Sequence, residues 1–392
     1  MNDDSPNSKG TPPLEPPAPP HTPVQDDGDW DSADSSATGE SLPATEPAPA
    51  ISPEAVERSR WALQIWFGIL VVFGLGGLLL GQQELALLVA VSGVIVAAHA
   101  ADFHPRFSLL YRTVSFALIA LCGSTLVAMA AYFRLAPPAG LAGVIVPALS
   151  LVSGLLMFAT GIPVVGMSLA HALFGARGDS HSYRLAARLT LFGFLIAVPG
   201  WFAVQPMFDR AQDMNALFEH LSLGGAVFGY VILALAAVGF LVRRDLHSTL
   251  DRLGITRLGT RDLLLIALGV PLLFALNFAG EWGQHHWFPA LAASDNRINQ
   301  ALAGALDKRA MIALALTAGI GEEITMRGAL QPKLGLVLTS LFFAALHVQY
   351  SWYGMALIFA LGMVLGVIRK RSNTTTAMIV HAAYDLLALL AT

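Results

Sequence analysis

The sequence predicts an all-α, polytopic integral membrane helical bundle of about eleven spans. Three observations predict it. Apolar residues make up 55% of the 392 positions and charged residues only 13%, with a mean hydropathy of +0.61. A soluble domain carries about 25% charged residues, so this chain could not cover a water-facing surface. From Trp61 onward, apolar runs follow one another, most of them near the roughly 20 residues that a helix needs to cross a bilayer core. The short connections between them collect most of the arginine and lysine.

Before the first span, residues 1–57 hold twelve acidic residues against Lys9, and 12 of the 22 prolines fall within residues 1–55. Such a segment buries too little apolar surface to offset its chain entropy, and we read it as a disordered acidic tail. It has neither the basic start nor the apolar core of a secretory signal. The spans are expected at 61–81, 84–101, 113–133, 140–160, 188–206 and 222–242, which make an N-terminal membrane region over 58–259. They continue at 262–280, 309–330, 335–349, 353–368 and 374–391, within a second region over 260–392. Residues 161–176 are apolar but short, and read as re-entrant, interfacial or a continuation of the fourth helix. Gly77-xxx-Gly81 and Gly362-xxx-Gly366 suit close helix contacts; routine packing explains them better than a dedicated dimer face.

Orientation follows from basic residues in short loops. Arg58 and Arg60, Arg106 and Arg112, Arg177 to Arg188, Arg243 to Arg261, Lys333, and Arg369 to Arg371 fall on alternate connections. This predicts a cytoplasmic N-terminus, with Lys308 and Arg309 as the main exception and with 207–221 and 281–307 facing outward. Composition and the lack of organelle signals suggest a bacterial cytoplasmic membrane. No concentrated basic face marks a nucleic-acid binder. Cys122 is the single cysteine, which excludes intramolecular disulfides and CxxC sites.

Three acidic residues stand inside predicted spans: Glu322, Glu323 and Asp385. Arg327, His347 and His381 lie near them in sequence or depth. Intramembrane ionisable groups are costly and are functional-site candidates by default. Glu323 and Arg327 are i,i+4 neighbours and can pair, whereas Glu322 is turned about 100° away and is left free for chemistry. Phe343 and His347 share a face by the same rule, as do His381 and Asp385, so Asp385 can orient or polarise the imidazole. At 1.5 Å per residue, Glu322, His347 and His381 lie roughly 13, 20 and 15 Å from the cytoplasmic ends of their helices. One shared polar pocket is the simplest account.

Glu322-Glu323-xxx-Arg327, Phe343-xxx-His347 and His381-xxx-Asp385, in this order on hydrophobic segments, resemble the three motifs of the CPBP superfamily. These are the CAAX prenyl-protease and bacteriocin-processing, or ABI-type, intramembrane proteases. The third motif usually ends in Asn; Asp385 is a variant. The resemblance covers about residues 260–392. It implies an intramembrane endopeptidase in which Glu322 is the general base and His347 positions the water. It implies that His381 and Asp385 polarise the scissile carbonyl and assist the oxyanion, with Glu323, Arg327 and Phe343 as structural support. The implied partners are the lipid bilayer and a membrane-associated protein or peptide substrate. No cofactor and no metal are expected: His and Glu can bind zinc, but HExxH is absent. A non-catalytic immunity or scaffold protein is the alternative class. A rhomboid-type serine protease lacks its GxSG serine here, an aspartyl intramembrane protease lacks its second aspartate, and a transporter would show broken helices in both halves.

Overall fold

The computed structural model describes residues 53–137, 140–210 and 223–391, and every regular element among them is helical. The acidic tail, apart from its last few residues, lies outside the described residues. The first helix, α1 (Pro53–Ile69), is prolonged by a wide π turn and a short helix to Leu79. It is followed by α2 (Gln83–Phe103), α3 (Ser108–Leu135), α4 (Ala142–Ala159), the short α5 (Pro163–Phe174), α6 (His181–Arg210) and α7 (Leu223–Ala237). Then come α8 (Leu246–Leu253), α9 (Thr260–Trp287), α10 (Pro289–Ala305), α11 (Lys308–Thr317), α12 (Gln331–Ala345), α13 (Trp352–Arg371) and α14 (Thr374–Ala391).

Nine helical stretches among the described residues are long and apolar enough to cross a membrane. This is a multi-pass membrane protein. Large apolar side chains such as Leu79, Leu135 and Phe278 face outward, which water would penalise and lipid tails do not.

The nine stretches account for ten of the eleven expected spans, and the count differs from eleven for two physical reasons. Gly225–Ala237 is apolar but short. The 38-residue stretch Lys308–Ala345 is a hairpin. In a straight helix, Arg327 and Ser340 would lie about 20 Å apart, yet Arg327 Nη1 reaches Ser340 Oγ at 3.4 Å. The guanidinium also stands 5.4 Å from the centre of the Phe343 ring. The chain turns at Gly335, whose φ of 76° and ψ of 171° are open only to a residue without Cβ.

The two ends of the bundle are fastened differently. At one end, Asp102 at the close of α2 accepts from Arg243 Nη2 at 2.6 Å and from the backbone N–H groups of His181 and Ser182. A carboxylate there satisfies the first donors of α6 and meets its positive dipole end. At the same end Lys333 Nζ donates to the Ala237 carbonyl at 3.0 Å, Arg252 to that of Gly328 at 3.1 Å, and Thr374 N–H to that of Gly254 at 2.9 Å. The opposite end gathers the loop 346–351. Trp201 Nε1 donates to the Tyr350 carbonyl at 2.9 Å, and the Gln205 amide lies 2.9–3.2 Å from the carbonyls of residues 348–350.

Candidate active site

After α11 the helix widens to i→i+5 bonding over Ala318–Glu322 and again over Ile324–Leu330. Such π turns are rare and cluster at functional sites. The flanking glycines let neighbours close in. A Cβ on Gly319 would lie 2.6 Å from that of Ala382 in α14, and one on Gly321 would lie 2.7 Å from the Tyr230 ring in α7. Side chains at these positions would push α14 and α7 off the segment that carries Glu322 and Glu323.

Glu323 and Arg327, both fully buried, pair at 3.1 Å through Arg327 Nε. The second oxygen of Glu323 stands 3.0 Å from His381 Nδ1, and His381 Nε2 stands 3.3 Å from Asp385 Oδ2. The four groups form one chain across two helices: Arg327, Glu323, His381, Asp385. Sequence spacing foresees its two i,i+4 links. It does not foresee the link between them, because residues 323 and 381 meet only through the packing of α14 on the π turns. Each nitrogen of His381 faces an acceptor, so a proton must sit in each of the two gaps.

Glu322 occupies the neighbouring position outside that chain. Among the described residues it forms no hydrogen bond, while it lies in the electrostatic field of His381 and Asp385. Its carboxylate is free for other work.

His347 lies just beyond α12, which ends at Ala345 and not within a helix running to 349. Its backbone N–H bonds the Ala344 carbonyl, and its Nδ1 reaches the Phe343 carbonyl at 2.9 Å. A carbonyl can only accept, so the hydrogen is on Nδ1 and the lone pair is on Nε2. The ring thereby caps its own helix and presents a basic nitrogen. Phe343 joins the two histidines: its ring centre is 4.8 Å from that of His347 and 6.2 Å from that of His381. It also lies beneath the Arg327 guanidinium.

Two glycines bring α13 against this cluster. A Cβ on Gly362 would come within 3.3 Å of Arg327 Nη2 and of Phe343, and one on Gly366 would overlap Leu336 and Gln331. The Gly362-xxx-Gly366 spacing therefore serves close packing within the chain.

The loop behind His347 depends on residues that sequence reasoning missed. Asp295 of α10 is buried and accepts from Ser351 N–H at 2.8 Å, from Ser351 Oγ at 2.7 Å and from Gln284 at 2.7 Å. Tyr350 Oη donates to Asn299 at 2.7 Å. Gln205 and Trp201 close the other side. Asp295 reads in sequence as an acidic residue of an outer connection, and Gln205 as a lone polar residue near a helix end. Neither carries a local signal.

Glu323, His381 and Asp385 bond one another. Among the described residues no group of three His, Cys, Asp or Glu side chains is placed to hold a metal ion, Glu281 with His285 and His286 included.

Residues 307–387, which hold every one of these motif residues, match the family described as type II CAAX prenyl endopeptidase Rce1-like. The uncharacterized protein YpbD of Bacillus subtilis (strain 168) is 30% identical over 158 residues, covering 40% of this chain and 80% of that relative. The chain belongs to the Rce1-like family. That family consists of CAAX protease-type intramembrane endopeptidases. Membership in a membrane protease family implies a lipid bilayer and a membrane-associated substrate. The Rce1-like match begins at α11, so Trp201, Gln205, Tyr230, Gln284 and Asp295, which hold or flank the site, lie before it. No solved structure matches the chain.

Proposed function

We propose that this chain is a glutamate-type endopeptidase that hydrolyses a peptide bond of a membrane-associated protein or peptide. The observation that carries this reading is the contrast between two adjacent carboxylates. Glu323 is saturated by Arg327 and His381, whereas Glu322 beside it has no hydrogen-bond partner among the described residues.

In this reading Glu322 takes a proton from a water held by His347 Nε2. The resulting hydroxide attacks the scissile carbonyl carbon, and a protonated Asp385, one oxygen of which is held by His381 Nε2, donates its O–H to the oxyanion. Donors fixed in advance at developing charge are the largest single source of rate in such sites. As the carbon–nitrogen bond breaks, Glu322 returns its proton to the leaving amine. Glu323, Arg327 and Phe343 hold the histidines in place. The test is quantitative mass spectrometry of membrane peptides from cells expressing the wild-type chain or Glu322→Gln; identical peptide sets would count against hydrolysis.

No metal enters this scheme. Purified protein is expected to hold no stoichiometric zinc and to keep its activity in chelator. One equivalent of metal that is lost together with activity and restored by zinc would overturn the assignment.

Gln205 supplies a further expectation. Its amide holds three successive carbonyls of the loop behind His347, and displacements of about 1 Å in an active site can cost ~10²-fold in rate. Gln205→Ala is expected to lower kcat by up to that factor with little change in KM, because the loop positions a catalytic group and not the substrate. A rise in KM at unchanged kcat would assign Gln205 to substrate binding instead.

A further inference from the structure

Exposure of the site's side chains rises in one direction, and the charge distribution identifies which side of the membrane that direction faces. Arg327 and Glu323 have no exposed side-chain surface, His381 exposes 8% and Asp385 24%. Beyond Arg327 the structure is closed by Gln331, which donates to the Gly366 carbonyl at 2.9 Å, and by Ser340. Along α14, access therefore increases from Thr374 toward Ala391, in the direction of the loop 346–351.

Two helices measure the depth of that loop. Gln205 is 24 residues from the start of α6 at His181, and Gln284, which bonds Ser351 at 3.3 Å, is 24 residues from the start of α9 at Thr260. Both spans amount to about 36 Å at 1.5 Å per residue, against a hydrocarbon core of about 30 Å. The loop behind His347 thus lies at the membrane surface opposite the starts of α6 and α9.

Those starts belong to the end fastened by Asp102, Arg243, Lys333, Arg252 and Thr374. The helix directions place sixteen of the 23 lysines and arginines at or within two turns of that end, and five at the opposite one. Basic residues in short loops mark the cytosolic side. Acidic residues contribute little to that rule, so the connections near the mouth need not be acidic to face outward.

We propose that the catalytic mouth opens away from the cytosol, and that the substrate is a membrane-anchored polypeptide cut in a segment next to the membrane on the extracytoplasmic side. A lipidated protein held on the cytosolic leaflet would meet the closed, basic end. The substrate assignment rests on the protease reading; the sidedness does not.

Two measurements separate them. In a Cys122→Ala background of the full chain, Gln300→Cys in α10, next to Asn299, and Lys370→Cys at the end of α13 are treated with a membrane-impermeant maleimide. Both positions are exposed. Gln300→Cys is expected to label in right-side-out vesicles and to lose that label in inverted ones, with Lys370→Cys behaving oppositely. The reverse pattern overturns the proposal, whatever the chain hydrolyses. Protein ends present with the wild-type chain and lost with Glu322→Gln are then expected in extracytoplasmic juxtamembrane segments. Ends confined to cytosolic segments overturn the substrate assignment. No change in any end removes the protease reading and the substrate class together, and the labelling still decides the sidedness.

Discussion

Glu322→Ala is expected to abolish hydrolysis while leaving the protein inserted and folded. A positioned acid or base contributes roughly 10²–10⁴-fold, and this one forms no hydrogen bond among the described residues that folding would lose. His347→Ala should lose a comparable factor, since it removes the basic Nε2, together with the bond from Nδ1 to the Phe343 carbonyl. The measurement is the cleavage rate of a membrane peptide that the wild-type chain processes, paired with the yield of monodisperse protein in detergent. Wild-type rates for both variants would end the enzyme reading and favour a non-catalytic immunity or scaffold protein.

The second large effect is on folding. Arg327→Ala strands the fully buried Glu323 carboxylate against His381 alone, and breaking a buried pair costs about 3–5 kcal/mol. It also removes the cation over Phe343 and the contact to Ser340. Folded yield should fall well below that of Glu322→Ala. The double variant Glu323→Gln with Arg327→Gln should recover part of it, because a glutamine carbonyl still accepts from His381 Nδ1 without a charge to bury. Equal detergent-stable yields for all variants would mean that the pair is hydrated or catalytic, and Arg327 would lose its structural role.

These two expectations differ because adjacent glutamates have different surroundings, and only part of that difference is local. The i,i+4 spacing of Glu323 and Arg327 is a property of any helix, so pairing and the freedom of Glu322 follow from sequence. The same holds for His381 and Asp385, which meet at 3.3 Å, and for the apolar runs, whose order matches that of the helices. Low charge and high hydropathy already required a helical membrane bundle, because in lipid each helix satisfies its own backbone.

What the tertiary structure decided are the contacts between residues far apart in the chain. Glu323 reaches His381 because Gly319 lets α14 lie against the π turns. His347 faces the cluster because Gly335 reverses the chain, and its imidazole tautomer follows from a helix that ends two residues before it. Gln205, Trp201 and Asp295 support the site from helices that share no motif with it. Helical periodicity constrains neighbours within about one turn; beyond that, which polar groups meet depends on how closely helices pack, and that is set by side-chain volumes across the whole bundle.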